Sequence, residues 1–195
     1  MKSLHNVFHV IVLTSLLAGC GGTKFVREKD TSLVLGKTTE QDIRSRMGKP
    51  DSEGEWTENP YHFNSLLYAY YSASGQTSSY KVLPMRQQEF FFYKNKLVGH
   101  RFSSTWVTEH TDFDESEIAR LKENISTRRD VIRIMGIPSG RNIYPLSKYK
   151  GGETLVYYYA KIVRGSLTSQ KYVSKELLVA LNDKGIVSEI NYKKW

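Results

Sequence analysis

Three histidines, His62, His100 and His110, stand beyond the first nineteen residues, and no two of them are spaced to put metal ligands on one helical turn. No serine sits in a strand-turn-helix nucleophile elbow, and no glycine pattern could cradle a phosphate; Gly151-Gly152 reads as a turn before a strand. The carboxylates of Asp112, Asp114, Glu115 and Glu117 crowd where a helix would begin, which suits a solvated first turn better than an acid/base pair. The residues therefore predict a protein that binds and is not an enzyme, with no catalytic residue, no metal and no cofactor.

The remaining reactive group is the thiol of Cys20, the only cysteine, so an intramolecular disulfide is excluded. Met1 and Lys2 give a positive start, Val7 to Leu17 an apolar run too short to span a bilayer, and small residues follow, as in a secretory signal over residues 1–19. Leu17-Ala18-Gly19-Cys20 resembles the bacterial lipobox, which implies cleavage between Gly19 and Cys20 and acylation of the Cys20 sulfur. Several acyl chains anchor a protein firmly, so the expectation is a lipid-anchored protein, with residues 20–30 as the lipidated start and linker. Gly21, rather than Asp, follows the cysteine, and the resemblance then implies the outer membrane, with the periplasmic face the expected side.

Losing residues 1–19 removes only Lys2 among the charged residues and lowers the formal charge from +8 to +7. A basic exported chain meets anionic lipid headgroups or acidic protein surfaces, whereas its compartment argues against nucleic acid. An envelope protein and the membrane, reached through the N-terminal lipid, are the expected partners; the oligomeric state stays open.

The elements that must position these residues come from an internal repeat. Thr38-Thr39-Glu40-Gln41-Asp42-Ile43 with Met47-Gly48-Lys49-Pro50 matches Ser126-Thr127-Arg128-Arg129-Asp130-Val131 with Met135-Gly136-Ile137-Pro138 at an offset of 88. Without a gap, that offset also pairs Phe25 with Phe113, Leu33 with Leu121, Leu67-Tyr68-Ala69-Tyr70-Tyr71 with Leu155-Val156-Tyr157-Tyr158-Tyr159, and Phe102 with Ile190. Thr38 and Ser126 are the expected N-caps, with Gln41 closing a capping box in the first copy only. Ile43 and Met47, like Val131 and Met135, share one helical face; Gly48 and Gly136 are read as left-handed stops, and Pro50 and Pro138 prevent resumption. A preceding short helix is expected from about Ser116 to Lys122. After polar loops at Asp51 to Asn64 and Ser139 to Gly152 come aromatic strands, then strands at Glu89 to Tyr93, Glu176 to Leu181, Val98 to Ser103 and Ile186 to Tyr192.

Gly36-Lys37-Thr38-Thr39-Glu40-Gln41-Asp42-Ile43 followed by Met47-Gly48-Lys49-Pro50 resembles the opening motif of the SmpA/OmlA (BamE-like) outer-membrane lipoprotein family. The duplication also resembles the tandem arrangement of the β-lactamase inhibitor protein. The fold these resemblances imply is α+β: two tandem αα-βββ modules, each a helix pair packed on antiparallel sheet, at residues 31–110 and 111–195. In the second copy Asn124-Ile125 replaces Gly36-Lys37.

Strand alternation sends about half of the repeated tyrosines to each sheet face, one set into the core and the other toward a partner. Tyr68, Tyr70 and Tyr158, with Arg164 and Lys171 in the second of two long connections (Ser72 to Gln88 and Ala160 to Lys175), are the candidate partner-binding residues. The expected role is an assembly or scaffold lipoprotein that docks on an envelope protein or membrane component; the alternative is a periplasmic enzyme inhibitor or sensor of the β-lactamase-inhibitor type.

Overall fold

The computed structural model describes residues 22–72, 74–165 and 169–195; Gly19 and Cys20 lie outside them. Two strings of residues dominate: two short helices, α1 (Glu40–Met47) and α2 (Arg128–Met135), and eight strands. The strands are β1 (Ser52–Glu58), β2 (Tyr61–Tyr71), β3 (Met85–Tyr93), β4 (Lys96–Ser104), β5 (Gly140–Ile143), β6 (Glu153–Arg164), β7 (Gln170–Leu181) and β8 (Val187–Lys194). They form a single antiparallel sheet in the order β1-β2-β3-β4-β5-β6-β7-β8.

This corrects the expected pair of αα-βββ modules. The preceding helix of each pair does not form as an α-helix. Between Leu33 and Thr38 there is room only for turns, too few residues to nucleate a helix and leave it again, and residues 115–120 form a 3-10 helix (Glu115–Arg120) capped by Asp114. Leu33 and Leu121 still reach the core, from turns rather than from a helical face. Each half also gains a fourth strand where a polar loop was expected: β1 is an edge strand whose residues are mostly exposed, and β5 has four residues, so neither carries an apolar alternation to announce it. The 110/111 division falls in the connection between β4 and β5, and the sheet crosses it through the pairs Gly99 with Asn142, His100 with Arg141 and Arg101 with Gly140.

The helices themselves follow from their caps. Thr39 and Thr127 are the N-caps, one residue beyond Thr38 and Ser126, because the box closes on the residue three further along: the Asp42 and Asp130 carboxylates accept from the Thr39 and Thr127 backbone N–H groups, at 2.8 and 3.0 Å. Gln41 does not close the first box, and both copies have one. The Thr38 and Ser126 hydroxyls instead accept from the backbone N–H of Val34 and Lys122, pinning the preceding turns. Gly48 and Gly136 end the helices at positive φ, but with ψ of −151° and −166° rather than in the left-handed helical basin. Ile43 and Val131, both fully buried, fix α1 and α2 to the sheet and contribute about 2 kcal/mol each.

The two cores on the helix side repeat. Phe25, Leu33, Ile43, Leu66, Tyr68, Phe90, Phe92, Leu97 and Phe102 form the first, and Phe113, Leu121, Val131, Leu155, Tyr157, Leu177, Val179, Leu181 and Val187 the second. Here the gapless alignment fails. Tyr68 donates to the Gly48 carbonyl at 3.0 Å and Tyr157 to the Gly136 carbonyl at 2.9 Å, so Tyr68 matches Tyr157, and the offset has grown to 89. It grows again to 90 before the last strand: Leu97 N–H donates to Thr38 O as Val187 N–H does to Ser126 O, and Phe102, paired with Gln88, matches Tyr192, paired with Leu177.

The short β5 shapes the whole sheet. Gly140 passes so close to β4 that a Cβ there would lie 2.0 Å from the His100 carbonyl oxygen. Beyond it, two side chains replace the missing strand: Ser139 Oγ accepts from Tyr158 N at 2.7 Å and Ser103 Oγ from Ala160 N at 2.8 Å. With β4 drawn toward β6, the sheet curls. Gln87 on β3 reaches Tyr172 Oη on β7 at 3.3 Å, whereas four spacings of a flat sheet would separate those strands by roughly 19 Å. The face turned away from the helices is therefore concave, and a third cluster, Met85, Val156, Tyr158 and Ala160, lies in its floor.

Candidate functional site

Register assigns the concave face. On β3 it receives Met85, Gln87, Glu89, Phe91 and Tyr93, because their partners across β2 and β4 alternate with Phe90, which is in the helix-side core. By the same alternation β4 contributes Arg101 and Ser103, β6 Val156 and Tyr158, and β7 Tyr172, Glu176 and Leu178.

Arg101 is the centre. Its Nε donates to Glu89 at 2.8 Å and its Nη1 to Glu176 at 2.6 Å, and its guanidinium carbon lies 4.1 Å above the Tyr158 ring and 5.6 Å from that of Phe91. Burial opposes the charge of Arg101, yet Glu89, Tyr158 and Glu176 outweigh it and its pKa is raised, so the group stays a cation. Burial also raises the pKa of Tyr158, whose hydroxyl is held by Gln87 at 3.1 Å and by the Tyr172 hydroxyl at 2.9 Å. The network crosses from β3 to β7 and locks the curl.

Beside it runs a strip of half-buried rings. Trp56 meets Phe91 edge-on at 5.8 Å, Tyr61 meets Tyr93 at 5.6 Å and Tyr144 at 5.7 Å, and the Tyr61 and Tyr144 hydroxyls are hydrogen-bonded. Rings fixed by their neighbours offer contact area with little entropy left to lose, around a cation and two carboxylates. That arrangement suits recognition of a protein surface.

The residues proposed from sequence are not brought together. Tyr68 is 2% exposed and belongs to the helix-side core, and Tyr70, on the same face, stacks on Trp106 at 5.8 Å. Tyr158 points the other way, into the concave floor. Arg164 and Lys171 are exposed on the β6–β7 hairpin. Arg101, Glu89, Glu176 and the strip of Trp56, Tyr61, Phe91, Tyr93 and Tyr144 were missed; the signal available was Glu89 to Tyr93, whose apolar residues on both parities imply two occupied faces.

Catalytic geometry is not assembled by the histidines. His62 is exposed beside Thr57, His110 lies against the Tyr159 ring, and His100 is buried with neither ring nitrogen hydrogen-bonded. Among the described residues no three His, Cys, Asp or Glu side chains are grouped to hold a metal ion. Two adjoining grooves of about 420 and 820 Å³ on the helix side share Arg27, Glu109, Ile137 and Pro138, and within them Arg86 pairs with Glu109 and Arg27 with Asp30.

No protein-family model matches the chain, and no curated protein matches it. One solved structure, described as a "putative beta-lactamase inhibitor protein" from Streptococcus mutans, is similar over 87% of this chain and 90% of its own, at 14% identity and a TM-score of 0.39.

Proposed function

We propose that this chain is a lipid-anchored, non-catalytic binding protein of the cell envelope that holds a protein partner in the concave face of its sheet. The observation that carries the proposal is the strip of half-buried aromatic rings beside the Arg101, Glu89 and Glu176 network, a rigid and partly apolar surface with fixed charges. Attachment through Cys20 at the outer membrane, facing the periplasm, is the companion part of the proposal and is supported by the lipobox-like Leu17-Ala18-Gly19-Cys20. The SmpA/OmlA resemblance of the segment at Gly36 to Pro50 favours an assembly or scaffold role. The alternative, inhibition or sensing of a periplasmic enzyme, is favoured by concavity itself, which suits an inserted loop.

Affinity capture from detergent-solubilised envelopes, comparing wild type with Phe91→Ala/Tyr93→Ala, tests the site. A reproducible partner should be recovered by the wild type and fall by about tenfold or more in the variant, as for truncation of central aromatic anchors. Equal recovery by both would refute the concave-face assignment. Inhibition of β-lactamases or cell-wall hydrolases by the wild type, lost in the same variant, would select the alternative. Fatty-acid labelling of wild type against Cys20→Ser checks the anchor separately: label retained by Cys20→Ser would overturn it.

A further inference from the structure

The two long connections are distant in sequence but joined in space. Leu83 N–H donates to Ile162 O at 3.0 Å, Arg164 N–H donates to Lys81 O at 2.7 Å, and Val82 bridges Val163, so residues 81–83 lie along the outer end of β6. The resulting arm has a one-sided charge. Residues 72–84 and 160–175 contain no Asp or Glu, while Lys81, Lys161, Arg164, Lys171 and Lys175 all fall within them. Lys175 is taken up by Asp112 and Glu115, but Lys81, Arg164 and Lys171 are exposed, with no carboxylate within 4 Å among the described residues. Beside them Tyr80 is 83% exposed and Tyr172 48%.

Strand direction puts this arm at one end of the sheet together with Gly22, where the described residues begin. In an all-antiparallel meander β2, β6 and β8 run the same way, so the arm that leaves β2 and β6 and the exposed Trp195, which follows β8 and pairs with Ser174, share an end. Gly22 is there too: it packs on the backbone of Ala69, two residues before the end of β2. Cys20 is two residues upstream in the sequence.

We infer that the arm is a membrane-contact surface, resting on anionic phospholipid headgroups of the leaflet that holds Cys20. The inference builds on the lipid anchor of the proposed function and adds an orientation: arm and Trp195 toward the lipid, concave face held at a fixed angle above it. Its chemistry is that of interfacial anchors, cations near an anionic surface and amphipathic rings at headgroup level.

The test uses the chain from Gly21 to Trp195, which retains every described element and carries no lipid, in sedimentation with vesicles of phosphatidylethanolamine and phosphatidylglycerol against phosphatidylcholine alone. Binding should be confined to the anionic vesicles, fade with salt, and weaken by about fivefold for each of Lys81→Gln, Arg164→Gln and Lys171→Gln. Lys94→Gln/Lys150→Gln at the opposite end should leave it unchanged. Equal binding to phosphatidylcholine, no vesicle binding, or a triple Gln variant that binds like wild type would overturn the inference, with thermal unfolding confirming that the variants are folded. Its failure is distinguishable from failure of the anchor. A full chain that takes up fatty acid at Cys20 while the lipid-free chain ignores vesicles keeps the anchor and sinks the arm; vesicle binding without label does the reverse.

Discussion

Acidification should weaken this protein through one side chain, His100. The ring is 1% exposed on the helix side of β4, neither nitrogen has a hydrogen-bond partner, and Arg27 and Arg141 are near enough to oppose a third positive charge, with only Asp30 favouring it. Burial foremost, and the two guanidinium groups after it, push the pKa from 6.5 down to about 4. Well above pH 6.5 the imidazole is neutral folded or unfolded and contributes no pH dependence. Below pH 6.5 the unfolded chain takes up a proton that the folded one refuses until about pH 4, so stability falls with falling pH across that window. A depression of about 2.5 units at 1.36 kcal/mol each gives a loss of about 3 kcal/mol by pH 4, a large part of the 5–15 kcal/mol that holds a typical domain. Glu115, hydrogen-bonded by Tyr192 and Lys194 and lowered to about 2, loses its stabilising contribution only below pH 4.5, which leaves the upper part of the window to His100. Urea unfolding followed by circular dichroism between pH 7 and pH 4.5 should show the slope in wild type and its near disappearance in His100→Leu, which removes the titrating ring. A flat wild-type profile, or the same slope in His100→Leu, would refute the reasoning.

Two further perturbations exploit the repeat. Thr39→Ala and Thr127→Ala each remove a cap hydroxyl that accepts from Asp42 or Asp130 N–H, and each should cost about 1 kcal/mol, adding in the double variant because the caps share no contact; a urea midpoint series reads this directly. Tyr157→Phe leaves the Gly136 carbonyl without its phenol donor and Tyr68→Phe does the same at Gly48, so both should lose about 1 kcal/mol, whereas the gapless alignment would instead make Val156 the counterpart of Tyr68; matched losses in the two Phe variants support the shifted register.

Local sequence determined what depends on near neighbours. The helix at each Thr-x-x-Asp, its end at Gly48 or Gly136, and the strand character of the tyrosine- and phenylalanine-rich runs all follow from cap geometry and strand propensity, and the repeat was legible because the same few residues recur in the same order. The caps were misplaced by one residue because Thr38 and Thr39, like Ser126 and Thr127, offer adjacent hydroxyls, and only the position of Asp42 and Asp130 in three dimensions selects between them. Tertiary structure decided the rest. One residue inserted between Pro138 and Tyr157 reverses strand parity, which places Tyr68 and Tyr157, not Tyr68 and Tyr158, on the same face. β5 exists because β4 and β6 need a bridge, and its four residues carry no pattern of their own. The concave face, and with it the meeting of Arg101 from β4 with Glu89 from β3 and Glu176 from β7, arises from the curl that so short a bridge imposes. Contacts between residues 75 positions apart are a property of sheet curvature, which no local periodicity encodes.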